Sequence, residues 1–252
     1  KAIEHTGVIR GMSGSPVYKN GKLLGAVGYR IGQFSKEALA GITPAAAMLE
    51  LFDSPEHVAT APADQVQIGT PLVITGVSSA LRRAAGGWLA EQGMAQMIPV
   101  AGGGTAAGST PAPKALESGG GIGVVLARGD INAFGLGTVT FADERRFIAF
   151  GHPMFGVGPV NLPVATVYVS TTVPSPANAY KVGRLGPNVG RLTQDRLPGI
   201  AGVVGGQAPV IPLAVSLPGG RVVRSDLSWQ RHVLPSIART VVASAFSDRT
   251  SF

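Results

Sequence analysis

Between residues 122 and 215 the chain is written in short runs of alternating apolar and polar residues: Ile122–Ala127, Phe134–Phe141, Phe147–Phe150, Val164–Thr172, Gly183–Thr193 and Val210–Val215. A period of two over four to ten residues is the pattern of a strand with one buried face, and it does not fit a helix. Pro174, Pro176 and Pro187 punctuate the runs as turn residues. The remaining sequence offers short helices only, because 36 glycines and 19 prolines are spread through 252 residues. The spacing predicts helices over 38–52, opened by Thr43-Pro44, over 79–95, interrupted by Gly86-Gly87, and over 233–246. Two mostly-β lobes follow, residues 1–100 and 122–252. Between them lies a Gly/Ala/Ser/Thr/Pro-rich linker over 101–121 that reads as a flexible connection.

Within the first lobe one stretch carries chemistry. Gly11-Met12-Ser13-Gly14-Ser15-Pro16 places a serine between glycines and ahead of a proline. A short apolar strand follows, and Asn20-Gly21 then reverses the chain into a second strand. Both residues of that pair tolerate positive φ, as a type I′ hairpin turn requires. Glycines around Ser13 permit a tight loop whose backbone N–H groups face inward, the arrangement an oxyanion hole needs. Ser15 is the competing hydroxyl, and it reads as a loop-stabilising group. The plain structural reading of the loop is a tight turn with a capping serine.

The stretch resembles the nucleophile loop of trypsin-like serine peptidases, Gly-Asp-Ser-Gly-Gly-Pro followed by a hairpin. Its form, with methionine before the serine and a second serine before the proline, is more similar to the stage IV sporulation protein B peptidase family. Two further segments resemble the same family: residues 135–152, ending Ile148-Ala149-Phe150-Gly151-His152, and residues 190–202, Gly190-Arg191-Leu192-Thr193-Gln194-Asp195-Arg196-Leu197-Pro198-Gly199-Ile200-Ala201-Gly202. The likeness covers roughly residues 5–50 and 120–205. It implies a mostly β, two-lobed, chymotrypsin-like double β-barrel with a few short helices. In that family the histidine precedes the serine, whereas here Ser13 precedes His152, so the expected arrangement is circularly permuted. Catalysis depends on geometry and not on chain order.

The resemblance assigns Ser13 as nucleophile, His152 as general base, and the Gly11 and Ser13 amides as oxyanion donors. His5, His57 and His232 stand in no motif, whereas Phe147–Phe150 can hold His152 at a strand end with Gly151 freeing the backbone. An imidazole with an ordinary pKa near 6.5 accepts a serine proton at neutral pH. The third member is open. Asp195 is the first candidate to orient the ring, against a reading in which it pairs with Arg191 or Arg196. Asp143 is a second, although Ala142-Asp143-Glu144-Arg145-Arg146 reads as a hairpin tip. The family's own acidic position would fall ahead of Lys1, which leaves a Ser–His dyad open as well. Val27, Gly28 and Tyr29 are expected to pair with an extended substrate by strand addition, with a simple edge strand as the alternative. Thr6 to Arg10 would line the first specificity pocket and carry no acid, so a preference for Lys or Arg is not indicated.

Other chemistries have little to stand on. Without cysteine there is neither a disulfide nor a thiolate site. No His-Glu-x-x-His or dense carboxylate cluster points to a metal, and no cofactor is expected. Gly102-Gly103-Gly104 and Gly119-Gly120-Gly121 lack the ending of a phosphate loop. A net charge of +7 comes from basic residues scattered in ones and twos, such as Arg82-Arg83, without the aromatic-interleaved stripe of a nucleic-acid binder. No run of 18 apolar residues is present, so no transmembrane segment is expected. The expected function is a serine endopeptidase acting on polypeptide, regulatory or self-processing, with a precursor segment or regulatory domain outside this chain as a further partner. The family likeness implies an extracytoplasmic bacterial location. The competing expectation is a catalytically inactive peptidase-like β scaffold that binds peptides or a protein partner.

Overall fold

The computed structural model describes residues 7–31, 39–53, 65–102, 111–174 and 179–247. It is mostly β, in two sheets. The smaller sheet holds β1 (Pro16–Lys19), β2 (Lys22–Ile31), β3 (Ala40–Pro44) and β4 (Gln65–Gln67), with β2 between β1 and β3 and also paired to β4. Asn20 and Gly21 join β1 to β2 with φ of 52° and 76°, the paired positive angles expected of this turn.

The larger sheet has ten strands. Six of them, β7 (Gly121–Gly129), β8 (Asn132–Ala142), β9 (Arg146–Ala149), β10 (Gly158–Val173), β11 (Tyr180–Arg196) and β12 (Gly199–Val204), form a partly closed ring. Antiparallel pairs run β7–β10–β11–β12–β9–β8 and return through β8–β7. On one side the ring is extended by β14 (Val222–Ser228) and β13 (Val210–Ser216). On the other it is extended by β5 (Thr70–Thr75) and β6 (Met97–Ala101). Residues 1–100 therefore divide between the sheets, since β5 pairs with Asn132–Gly135 of β8. Residues 103–110 of the expected linker lie outside the described residues, as do most of 53–65.

Inside the ring, alternate side chains of β7, β8, β10 and β12 meet Phe147, Phe150, Leu162 and Leu192 in one fully buried cluster. Two glycines of β8 make room for it. A Cβ on Gly135 would lie 2.4 Å from the Met154 methyl, and one on Gly137 would lie 2.2 Å from the Phe150 ring. The opposite face of β8 carries Thr138 and Thr140, both buried.

Three helices cover the ends: α1 (Ala45–Asp53), α2 (Ser79–Glu91) and α3 (Leu234–Ala245). The first begins later than its sequence suggests, because residues 40–44 pair with β2 as a strand. Thr43, expected to cap the helix, donates its hydroxyl to the Gly151 carbonyl. α2 passes through Gly86-Gly87 unbroken. Leu81, Ala85 and Leu89 bury its apolar face, the Ser78 hydroxyl accepts the Leu81 N–H, and these outweigh the two weak helix formers. Among the described residues no helix is long and apolar enough to cross a membrane.

The serine loop packs onto the ring through glycines that admit no side chain. At Gly14, φ is +92° and a Cβ would stand 1.9 Å from the Thr138 carbonyl oxygen and 2.5 Å from the Phe150 nitrogen. Gly14→Ala is expected to destabilise the protein by at least about 3 kcal/mol, because backbone meets backbone there. Gly87→Ala, with nothing within 4 Å and a helical backbone, should instead add roughly 0.5–1 kcal/mol. Urea denaturation of the two variants checks both signs.

Candidate active site

The loop from Ile9 to Ser15 has no ladder of its own and is held by pieces of others. The Ser13 carbonyl accepts the Thr138 N–H at 2.8 Å. The Thr138 hydroxyl donates to the Gly11 carbonyl at 2.9 Å, and the Thr140 hydroxyl donates to the Gly14 carbonyl at 2.8 Å. On the hairpin side, Gly14 N–H donates to Val27 O at 2.7 Å and Val27 N–H to Ser15 O at 3.0 Å. Met12 N–H goes to Ile9 O and Ser15 N–H to Met12 O. These bonds engage the amides of Met12, Gly14 and Ser15. Among the described residues, the amides of Ile9, Gly11 and Ser13 donate to no backbone carbonyl. Those of Gly11 and Ser13 are the two that the resemblance names as oxyanion donors.

The segment that carries His152 is held by the same strand as the serine loop. Strand β9 pairs with both β8 and β12, and β8 thus carries the serine loop on one face while its edge borders the histidine strand. Phe150 N–H donates to the Thr138 carbonyl, one peptide from the bond that holds Ser13. Phe150 and Gly151 then take φ of 70° and 65°. A left-handed conformation costs a phenylalanine of the order of 1–3 kcal/mol, and here it is fixed by the ring buried among Gly137 and its neighbours. The turn presses against β2: a Cβ on Gly28 would meet the Gly151 oxygen at 2.1 Å.

Ser13 and His152 are both fully buried, and Ser13 Oγ and His152 Nε2 each lack a hydrogen-bond partner. Thr70 Oγ1, at the start of β5, is the third buried polar atom in this condition among the described residues. Leaving a buried polar atom unpaired costs about 1–3 kcal/mol. Each such group calls for its own explanation, a catalytic role or a bound water among them.

The other end of the imidazole is well held. The Pro153 carbonyl lies 2.8 Å from Nδ1 and has no proton to give, so it accepts from Nδ1–H. Gln67 Nε2 donates to the same carbonyl at 2.9 Å and lies 3.0 Å from Nδ1. With Gln67 donating to the carbonyl, the Pro153 acceptor suits the Nδ1–H tautomer, which leaves Nε2 as a bare lone pair; a Gln67 donor directed at Nδ1 would put the proton on Nε2 instead. Burial lowers the His152 pKa to about 4, offset in part by the Pro153 carbonyl, so the ring is neutral through the ordinary pH range.

Asp195 is brought to the histidine segment but not to the ring. Its Oδ1 accepts the Met154 N–H at 2.8 Å, and its Oδ2 accepts those of Phe155 at 2.7 Å and Gly156 at 3.2 Å. The carboxylate therefore ties down the loop after His152, and the expected tautomer-holding role falls to the Pro153 carbonyl. Nor does Asp195 pair with Arg191 or Arg196; Arg196 bonds Gln194 instead. Burial raises the Asp195 carboxyl to about 6, against the three amides that pull it down. Asp143 sits at an exposed hairpin tip, as its sequence suggests, accepting the Arg145 and Arg146 amides and facing the Arg146 side chain.

Val27, Gly28 and Tyr29 do not offer the free edge expected for strand addition. Val27 is bonded to the serine loop and faces Ile42 on β3. Gly28 O accepts from Ile68 N, and Tyr29 pairs with both Gly41 and Gln67. Their place at the centre of the small sheet corrects that assignment. Four contributors escaped sequence reasoning: Thr138, Thr140, Gln67 and Lys181. Only the first two leave a signal, a Thr-x-Thr spacing that puts both hydroxyls on one face of a strand. Lys181 Nζ donates to Thr138 Oγ1 at 3.1 Å, and burial lowers its pKa to about 8.

Comparison of the chain with family models, with curated proteins and with solved structures gives no match.

The two buried titrating groups oppose one another in stability. His152 binds its proton less readily folded than unfolded, so from about pH 6.5 down to about 4 its contribution is lost as pH falls. Asp195 binds more readily when folded, so between its ordinary value and about 6 its contribution is lost as pH rises. Relative to wild type, His152→Gln is expected to lose stability on going from pH 4 to 6, and Asp195→Asn to gain it. Each slope should approach about 1.4 kcal/mol per pH unit, read from urea midpoints across that window.

Proposed function

We propose that the protein is a serine endopeptidase in which Ser13 is the nucleophile and His152 the base. The observation that carries this reading is that two fully buried atoms, Ser13 Oγ and His152 Nε2, have no hydrogen-bond partner, not even each other, and sit on segments that both bond to Thr138. In the reaction Ser13 Oγ attacks the peptide carbonyl carbon while its proton passes to His152 Nε2. Gly11 N–H and Ser13 N–H receive the oxyanion. The proton then goes to the leaving nitrogen, and water hydrolyses the acyl ester with His152 again as base. A carbonyl on Nδ1 orients the ring as an aspartate would, with less stabilisation of the imidazolium that forms.

The ring of six antiparallel strands and the smaller sheet are compatible with one complete and one partial lobe of a permuted chymotrypsin-like fold. The likeness of residues 11–27, 135–152 and 190–202 to the stage IV sporulation protein B peptidases supports the same reading and carries with it an extracytoplasmic, regulatory or self-processing role. Both reacting groups are buried, so a polypeptide reaches them only after the surrounding residues rearrange. This closed form suits a protease whose activity is controlled.

A fluorophosphonate probe tests the reading. Wild type and Ser15→Ala should be labelled covalently, and Ser13→Ala should not. The labelling rate should rise with pH through a midpoint near 4, not near 6.5, following the depressed His152 pKa. Asp195→Asn should cost far less than the roughly 10⁴-fold loss seen when a triad aspartate is neutralised, because its carboxylate supports a loop. Absence of labelling in a folded wild type, with peptide binding retained, would give the scaffold reading instead.

A further inference from the structure

We propose that Lys181 is the positioning residue of the oxyanion loop, fixing the Gly11 amide through its own backbone and the Gly11 carbonyl through a Lys181–Thr138 relay. This rests on the assignment of Ser13 and its neighbouring amides given above.

A trans peptide points its C=O and its N–H to opposite sides, so pinning one aims the other. The Gly11 N–H shares its peptide with the Arg10 carbonyl, and that carbonyl accepts the Lys181 N–H at 3.0 Å. Arg10 N–H returns to Ala179 O at 2.9 Å, which docks the start of β11 alongside the loop. The next peptide, Gly11 to Met12, is held at both ends. Met12 N–H donates to Ile9 O, and the Gly11 carbonyl takes the Thr138 hydroxyl proton. The third, Met12 to Ser13, is pinned by Ser15 N–H on the Met12 carbonyl. Two of these three planes depend on Lys181.

The side chain sets the direction of the relay. Thr138 has one hydroxyl proton, and the Gly11 carbonyl can only accept it. An ammonium can only donate, so Lys181 Nζ fills a lone pair on Thr138 Oγ1 and leaves its proton pointed at Gly11. A neutral amine could accept that proton, and the Gly11 carbonyl would lose its donor. Gly11 itself is required: its φ is +86°, and a Cβ would lie 3.1 Å from the Lys181 Cβ. The groups facing Lys181 are Thr138 from β8, Gly11 from the loop and Thr172 from β10, none of them a carboxylate. The charges on the adjoining segments are Arg10 ahead of the loop and Arg184 along β11, while Asp195 lies near the far end of β11. With no carboxylate paired to it among the described residues, burial lowers the amine pKa to about 8 and places the change of relay direction within reach of experiment.

Two readouts on the full chain test this. By NMR, the Gly11 and Ser13 amide resonances should titrate together with a midpoint near pH 8 in wild type and stay fixed in Lys181→Met and Lys181→Arg. With the fluorophosphonate, labelling of Ser13 should slow above pH 8. It should fall about tenfold or more in Lys181→Met and Thr138→Val, short of the 10²–10³-fold loss of a whole oxyanion donor, and recover in Thr138→Ser. Amide shifts that ignore pH between 7 and 9, or Lys181→Met labelled at the wild-type rate at both, would overturn the role. If wild type takes no label, the peptidase reading fails, while the amide titration still decides what Lys181 holds. Should Lys181→Met not fold, the wild-type titration and the Thr138→Val and Thr138→Ser pair decide it alone.

Discussion

The contact between β8 and the serine loop is the constraint on which the site depends. A seven-residue segment rich in glycine cannot order itself, since each fixed residue costs about 1–2 kcal/mol of backbone entropy. Here the cost is met by a strand that is already ordered by the ring. Thr138 and Thr140 present hydroxyls on the outer face of β8, spaced to reach the Gly11 and Gly14 carbonyls, and the Thr138 amide takes Ser13 between them. The inner face of the same strand carries Gly135 and Gly137, which let Met154 and Phe150 close over the core. One strand thus fixes the serine by its outer face and the histidine segment by its inner one.

That dual use explains why chain order matters little. The serine hairpin reaches the ring through tertiary bonds that span over a hundred residues: Thr43 to Gly151, Thr138 to Gly11 and Thr140 to Gly14. None of them requires the hairpin to precede or follow β8. Chain order decides which loops are long and where the termini fall, not which carbonyl a threonine meets. The same bonds make the two sheets one mechanical unit at the site, since the glycines at 14, 28 and 151 leave no layer of side chains between them.

Much of the fold was legible in the sequence because its cause is local. The alternation from 122 to 215 locates β7 to β11 and β13, although β10 begins six residues earlier and Pro187, expected at a turn, lies within β11; Asn20-Gly21 gives its turn. The misses have non-local causes. Residues 40–44 look like a helix start, yet become β3 because β2 has an edge to fill. Gly86-Gly87 look like a break and are overruled by burial of Leu81 and Leu89. At the site, Ser13 and His152 stood out through their glycine-rich surroundings, whose purpose is close approach. Asp195 was read as a partner for the ring because a carboxylate is the expected partner. The structure satisfies that need with the Pro153 carbonyl and gives the aspartate three amides instead. A backbone carbonyl has no identity in a sequence, so no reading of residue types could have found it.

The electrostatics then follow from burial and not from charge pairing. A triad aspartate would raise the histidine pKa and share the imidazolium charge. Here the ring meets only dipoles, and its pKa falls to about 4. In the proposed reaction the gain is a ring that stays neutral above about pH 4. The loss is a less stable imidazolium once the serine proton arrives. On the other side of the site, Lys181 donates to Thr138 and Thr138 to the Gly11 carbonyl, a chain that in the proposed reaction would orient the loop amides toward an oxyanion. In the proposed reaction the imidazolium has no carboxylate to balance it, and the cation that touches β8, Lys181 of β11, stands instead on the side of the loop assigned to the oxyanion.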